Sequence, residues 1–384
     1  MATRDILERL VAFPTVSHES NLDLIGYARD LLAACGAACV LVHDETGQKA
    51  NLYATIGPRD RPGVMLSGHT DVVPVEGQDW SVEPFAATRR HGRIYGRGTT
   101  DMKGFLASAL HAAKLASARP LTTPLHLALS HDEEVGCVGV RRLIDLLENA
   151  PVRPLFCIVG EPTSMAVATG HKGKTGLRAT CIGREGHSAL APLALNAVYL
   201  ACDLIGAIRA KQAEIEGQGV RDGDYDVPFT TLHVGRIQGG VALNIVPNRC
   251  ALEFEIRHLA EDDPEAILAE LRSKADDLVR AAQAVAPEAA ITFETTMAYP
   301  GLATPPTSDV VSFVKSLTGA NGTIKVAYGT EGGLFSERLG VPTVVCGPGS
   351  MAQGHKPDEF VTEDQLARCD AMLANLLDRL EAGL

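Results

Sequence analysis

Apolar strand-like runs separated by helix-like segments constrain this chain more than any other feature. VMLSGH (64–69), LHLALS (125–130) and PLFCIVG (154–160) are apolar at nearly every position, so both faces of each strand need cover. MKGFLASALHAAKLASA (102–118) and VGVRRLIDLLENA (138–150) carry helical periodicity between them. The alternation predicts an α/β layered domain. At 384 residues the chain exceeds one ordinary domain, and the pattern changes near residue 174. KTGLRATCIG (174–183), the long helix 194–216, strands 230–237 and 249–258, helix 264–285 and strand 289–295 follow one another. That β-α-β-β-α-β order is ferredoxin-like, and predicts a small α+β domain over 174–295 inserted into a larger one formed by 1–173 and 296–384. Alternation resumes after Pro300 and ends in a helix from Glu363, completing the larger domain's sheet.

Charge and cysteine content narrow the partners. The net charge is −12, with no basic run, which argues against a phosphate-tracking nucleic-acid binder. Nine scattered cysteines without a CxxC do not make a disulfide framework and fit a reducing cytoplasm. MATRDILERLVAFPTV reads as an amphipathic helix, not a signal peptide. No stretch reaches the roughly 20 apolar residues of a membrane span. A cytoplasmic protein acting on small molecules is the expectation.

Chemistry-bearing residues fall at the ends of the predicted strands. SGHTDVVP (67–74), GRGTTDMKG (96–104), SHDEEVG (130–136) and VGEPT (159–163) each offer a metal ligand: His69, Asp101, Glu134 and Glu161. Their spacings of 32, 33 and 27 residues match roughly one βαβ unit. Ligands delivered once per unit converge at the carboxyl edge of the sheet. His355 in GSMAQGHKPDEF is a fifth candidate from the C-terminal part. Two histidines and three carboxylates suit zinc, cobalt or manganese, and five ligands can hold two ions if one carboxylate bridges. Asp71 follows His69 by two residues and is expected to accept the imidazole's other N–H. Glu133 and Glu134 should point apart, since side chains alternate along extended chain. One would ligate metal while Glu133 would handle protons as general base.

HTDVVP, GRGTTDMKG, HDEEVG, GEPT, GREGHSA, NIVPN and GHKPDE, in this order, resemble the M20 family of dinuclear-metal amidohydrolases and peptidases over nearly the whole chain. The resemblance implies an α/β/α catalytic domain with a mixed sheet plus an inserted ferredoxin-like α+β lid/dimerisation domain. It implies two divalent ions per chain, Zn2+ or Co2+, with Asp101 bridging. His69 and Glu161 would complete one site, Glu134 and His355 the other. It further implies a lid histidine, His187, that polarises the substrate carbonyl, with Asn244 and Arg257 holding the substrate. A homodimer through the lid and a small N-acyl amino acid substrate are expected. GPGSMAQGHKPDEF, YGTEGG and GQDWSVEPF resemble the branch that deacetylates an amino acid with a cationic side chain, and Glu331 in GTEGG is a candidate to face that cation. Aminoacylase-like and desuccinylase activities, and a non-catalytic ligand-binding relative, are the alternatives.

Other readings are blander. Without the resemblance, Arg257 reads as an along-strand salt bridge, Asn244 as a turn residue and His187 as a loop histidine. His111 and His126 are expected to be structural or surface residues, and the cysteines small buried apolar groups. GRGTTD starts like a dinucleotide fingerprint, but Asp101 stands where the third glycine belongs, which excludes that site.

Overall fold

The computed structural model describes residues 2–384. The chain divides into two compact units, one made of the residues up to His171 with Leu302–Leu384, the other of Lys172–Gly301.

The first unit is built on a nine-stranded mixed sheet. Its centre is four parallel neighbours in the order Leu125–Ser130, Val64–His69, Phe156–Pro162 and Thr343–Gly347. Strands Leu125–Ser130, Val64–His69 and Thr343–Gly347 are buried along their whole length, as expected of a parallel core covered on both faces. Helix Lys103–Ala116 packs with Thr3–Val11 and Glu363–Ala382 into one layer. Its alanines and Ser108 are small enough to bury it almost all round. Val140–Glu148 pairs with Gly332–Leu339 in a separate helical group. Among the elements the sequence reading did not anticipate are the antiparallel hairpin Ala38–His43/Ala50–Ile56 at one edge and a three-stranded sheet of Thr88–Arg90, Arg93–Tyr95 and Phe360–Thr362. Both use strands whose short or partly polar pattern carries little periodic signal.

The second unit has the element order Gly173–Ile182, Ala197–Gln218, Thr231–Gly239, Arg249–His258, Pro264–Ala282 and Ala290–Tyr299. Its four antiparallel strands lie in the order Thr231–Gly239, Arg249–His258, Gly173–Ile182, Ala290–Tyr299. Period-two alternation sends Leu177, Ala179, Cys181, Leu252, Phe254 and Ile256 into the core shared with the helices. The opposite face carries cross-strand ion pairs, Arg178–Glu253 at 3.0 Å and Lys174–Glu255 at 3.1 Å. Among the described residues no helix is long and apolar enough to cross a membrane, and all nine cysteines are free.

His126 is structural. Its ring stacks on Tyr53 at 5.4 Å and its Nδ1 lies 2.9 Å from Thr55 Oγ1. Burial pushes its pKa from 6.5 down to about 4. Between those values the unfolded chain binds more protons than the native one, so stability rises with pH across the window and is lost as pH falls. The contribution is at most roughly 3 kcal/mol. His126→Gln should flatten the pH dependence of the urea midpoint between about pH 4 and 6.5 relative to wild type. An unchanged slope would remove His126 from the account.

Candidate metal centre

The carboxyl ends of three central parallel strands bring His69, Glu134 and Glu161 together, the N-terminal approach to helix Lys103–Ala116 adds Asp101, and the loop after Thr343–Gly347 adds His355. His69 ends its strand, Glu161 lies near the end of Phe156–Pro162, and Glu133 and Glu134 follow Leu125–Ser130. Asp101 precedes helix Lys103–Ala116. Its carboxylate stands between the two histidines: Oδ1 is 3.1 Å from His69 Nε2, and Oδ2 is 3.1 Å from His355 Nε2. His69 Nε2 also meets Glu161 Oε1 at 3.4 Å, and His355 Nε2 meets Glu134 Oε2 at 3.1 Å. His69, Asp101 and Glu161 are almost fully buried, whereas the His355 side chain is 48% exposed.

Both carboxylates of the DEE loop reach this cluster. Donor atoms of Glu133 gather with those of His69 and Glu161, while those of Glu134 gather with His69 and Asp101. Cys137 Sγ lies 3.3 Å from Glu133 Oε1.

The chemistry of this donor set fits cations. His69 Nδ1 faces the Asp71 carbonyl oxygen at 2.9 Å, so in a neutral ring Nδ1 carries the proton and Nε2 is an acceptor. Burial disfavours a charged ring, but the hydrogen bonds to Asp101, Asp71 and Glu161 lift His69 well above its ordinary pKa, so a proton on Nε2 supplies the positive charge these carboxylates require, a role that a bound cation would take over. The charges register the same need. Burial, joined by the Asp101 charge, pushes Glu134 up to about 7 and Glu161 up to about 8. Burial and the Glu161 and Glu134 charges raise Glu133 well above its ordinary value, against the pull of His69. Hydrogen bonds to Asp101 and Glu134 lift His355 to about 10. Burial would raise Asp101, but His355 and His69 hold it below the usual carboxylate range. Protons held this way are those a bound cation displaces.

Asp71 works differently from its predicted role. Its carboxylate is 3.5 Å from His69 Nδ1, and the nearer acceptor is its own backbone carbonyl. The carboxylate accepts instead from Ser17 Oγ at 2.7 Å, Glu133 N at 3.1 Å and Glu134 N at 3.3 Å. It therefore fixes the backbone of the loop that carries both glutamates. Ser17 gave no sequence signal.

Glu331 is a correction. It is 1% exposed, receives Ser67 Oγ at 3.2 Å and is hydrogen-bonded by the Ser130 hydroxyl, so it does not present a carboxylate outward to a cationic side chain. Burial raises its pKa, with the Ser130 hydrogen bond opposing. It begins helix Gly332–Leu339, and that position turns its side chain into the core.

In the second unit His187 sits in a short strand, Gly186–His187, paired antiparallel with Ile245–Val246. Its Nδ1 accepts from Ala189 N at 3.1 Å, leaving an Nε2–H donor on the neutral ring. The carbonyl of exposed Asn244 accepts from Ser188 N at 3.1 Å, so Asn244 and His187 are neighbours. Arg257 forms the along-strand contact, Nε to Glu255 Oε1 at 3.1 Å, and places Nη1 3.5 Å from Tyr299 Oη.

A mixed α/β fold whose parallel strand ends gather imidazole and carboxylate donors defines a metal-dependent hydrolase of the peptidase type. The chain belongs to peptidase family M20/M25/M40, which it matches over residues 65–379. It is 35% identical to an acetylornithine deacetylase of Myxococcus xanthus, over all of this chain and 98% of that one. Its fold is that of an M20 family metallo-carboxypeptidase from Sulfolobus solfataricus (TM-score 0.81, 20% identity, 99% of both chains). A tripeptidase from Staphylococcus aureus shares it too (TM-score 0.76, 21% identity, 99% of this chain and 98% of that one).

The correction to Glu331 is testable. Glutamine matches Glu331 in size, and the serine hydroxyl that meets its NH2 can rotate to accept, so Glu331→Gln should change stability by about 1–3 kcal/mol and leave KM for a cationic substrate unchanged. A KM raised tenfold would restore Glu331 to the substrate.

Proposed function

We propose that the chain is a dinuclear-metal amidohydrolase that hydrolyses N-acetyl-L-ornithine to L-ornithine and acetate, a step of arginine biosynthesis in the cytoplasm. The observation that carries the dinuclear reading is the Asp101 carboxylate, which turns one oxygen to each of two histidines. His69, Asp101 and Glu161 would hold one ion, and Asp101, Glu134 and His355 the other, with Zn2+ or Co2+ suited to the donors. Such ions supply Lewis acidity, polarising a carbonyl and acidifying water. The substrate is argued from the identity to the Myxococcus xanthus acetylornithine deacetylase.

The chain's own residues perform the rest. Glu133 takes the proton of the attacking water and passes it to the leaving nitrogen, as a buried base with a raised pKa can. The water oxygen bonds the acyl carbon, the C–N bond breaks, and the amine leaves protonated. Asp71 keeps the Glu133 backbone in place. We assign His187 Nε2–H to the substrate carbonyl, Asn244 to substrate positioning, and Arg257 to the α-carboxylate, which a guanidinium grips with two parallel hydrogen bonds. Residues 172–301 would then serve as lid and dimerisation domain. Support for a homodimer comes from exposed apolar side chains flanking His187: Leu190, Leu193, Val241 and Leu243, the last two almost fully open to solvent.

Two measurements test this reading. Zinc- or cobalt-loaded protein should release ornithine from N-acetyl-L-ornithine faster than it cleaves N-succinyl-diaminopimelate or neutral N-acetyl amino acids. Glu133→Gln should keep its metal and lose roughly 10²–10⁴-fold in kcat. Preference for another member of that panel would overturn the substrate, and an unimpaired Glu133→Gln would overturn the base. Leu243→Asp should halve the molar mass found by sedimentation equilibrium, and a wild type that is already monomeric would remove the dimer.

A further inference from the structure

The ligands of the half-exposed side of the centre come from distant parts of the chain, and one buried ion pair ties those parts together. Glu359 is 1% exposed, and its carboxylate accepts from four donors. Oε2 receives Arg97 Nη1 at 2.7 Å and Gly98 N at 3.0 Å. Oε1 receives Thr100 N at 2.8 Å and Asp101 N at 3.1 Å. A carboxylate has about four lone-pair positions, so this one is saturated. Three of the donors are backbone N–H groups of segment 98–101, which lies in neither helix nor strand and so lacks a ladder partner for them.

The other half of the ion pair reaches His355. Arg97 Nη2 donates to Gln78 Oε1 at 2.6 Å, and Gln78 Nε2 donates to the His355 carbonyl at 3.0 Å. Restraint is needed there, because His355 and Asp358 sit at left-handed φ of 59° and 54°. Asp358 Oδ1 accepts from Ser81 N at 2.9 Å. The backbone closes the ring: Gly96 N donates to Glu359 O at 2.9 Å, and strands Arg93–Tyr95 and Phe360–Thr362 pair directly beside the ion pair.

We propose that Glu359, through Arg97, is a positioning residue that sets the Asp101 backbone and the His355 loop against one another and so assembles the ligand pair that one cation would share. The proposal rests on the dinuclear reading and is independent of the substrate. A buried ion pair adds little net stability over an apolar substitute, whereas orienting groups behind a ligand are worth 10–100-fold in metal affinity or activity. The chain carries a reporter for this hub. Trp80, its one tryptophan, donates from Nε1 to Gln78 Oε1 at 3.2 Å, and the Arg97 guanidinium lies 5.0 Å from its ring centroid.

Glu359→Asp is the deciding variant. It keeps the charge opposite Arg97 and shortens the reach by one methylene, while Glu359→Gln would leave a buried guanidinium unpaired and can fail to fold. Wild type and variant are stripped with chelator; one portion of each is taken through urea unfolding, and a second, folded portion is titrated with zinc by calorimetry and by Trp80 emission. The expected result is a stripped variant that still unfolds cooperatively, at a lower urea midpoint, with one of two zinc ions bound 10–100-fold more weakly, the other bound as by wild type, and a shifted Trp80 emission. Two ions bound as tightly as by wild type would overturn the proposal. So would an equal loss of affinity at both ions, the mark of a general loosening of the fold. A wild type that binds no zinc would overturn the dinuclear reading and this proposal together.

Discussion

One carboxylate between two imidazoles organises this protein. Asp101 offers an oxygen to His69 on one side and to His355 on the other, and Glu134 and Glu161 crowd in behind the histidines. Buried acids so close repel one another, and ionising them all costs heavily without compensating positive charge. In the structure the raised pKa values of His69 and His355 show where that positive charge is called for, and much of the surrounding architecture holds these groups together. Parallel strands are the rigid part of that scaffold. Their two-sided burial leaves side chains free only at the carboxyl ends, where His69 and Glu161 emerge.

The loops between ligands cannot rely on strand hydrogen bonds, and the chain solves this twice in the same way. Asp71, fixed by Ser17, accepts the backbone N–H groups of Glu133 and Glu134. Glu359, fixed by Arg97, accepts those of Thr100 and Asp101. In both cases a buried acid clamps the backbone of a loop that carries candidate metal ligands. Hydrogen bonds to a charged acceptor are stronger than neutral ones, which makes a carboxylate a more effective clamp than a carbonyl.

Much of this was legible in the residues. The spacing argument holds from Glu134 to Glu161, one crossover apart, but not for Asp101, which lies within the crossover from Val64–His69 to Leu125–Ser130 and reaches the same edge from the approach to its helix. Period-two alternation and two long helices gave the β-α-β-β-α-β order of the second unit. What escaped is what periodicity does not encode. Glu331 and Glu359 are both acids in loop-like motifs, and no local pattern says that they turn inward onto serine hydroxyls or backbone amides. The contacts of Asp71 with residues 133 and 134 cross some sixty positions of chain. The strand pairing that sets residue 359 beside residue 97 joins two three-residue strands, too short to announce themselves.

The chemistry proposed for this chain needs two cations sharing Asp101. A crystal of the chain loaded with zinc, with data collected on either side of the zinc absorption edge, locates them directly. Two anomalous peaks flanking the Asp101 carboxylate, roughly 3.5–4 Å apart, are the predicted result. A single peak, or peaks remote from Asp101, would contradict it.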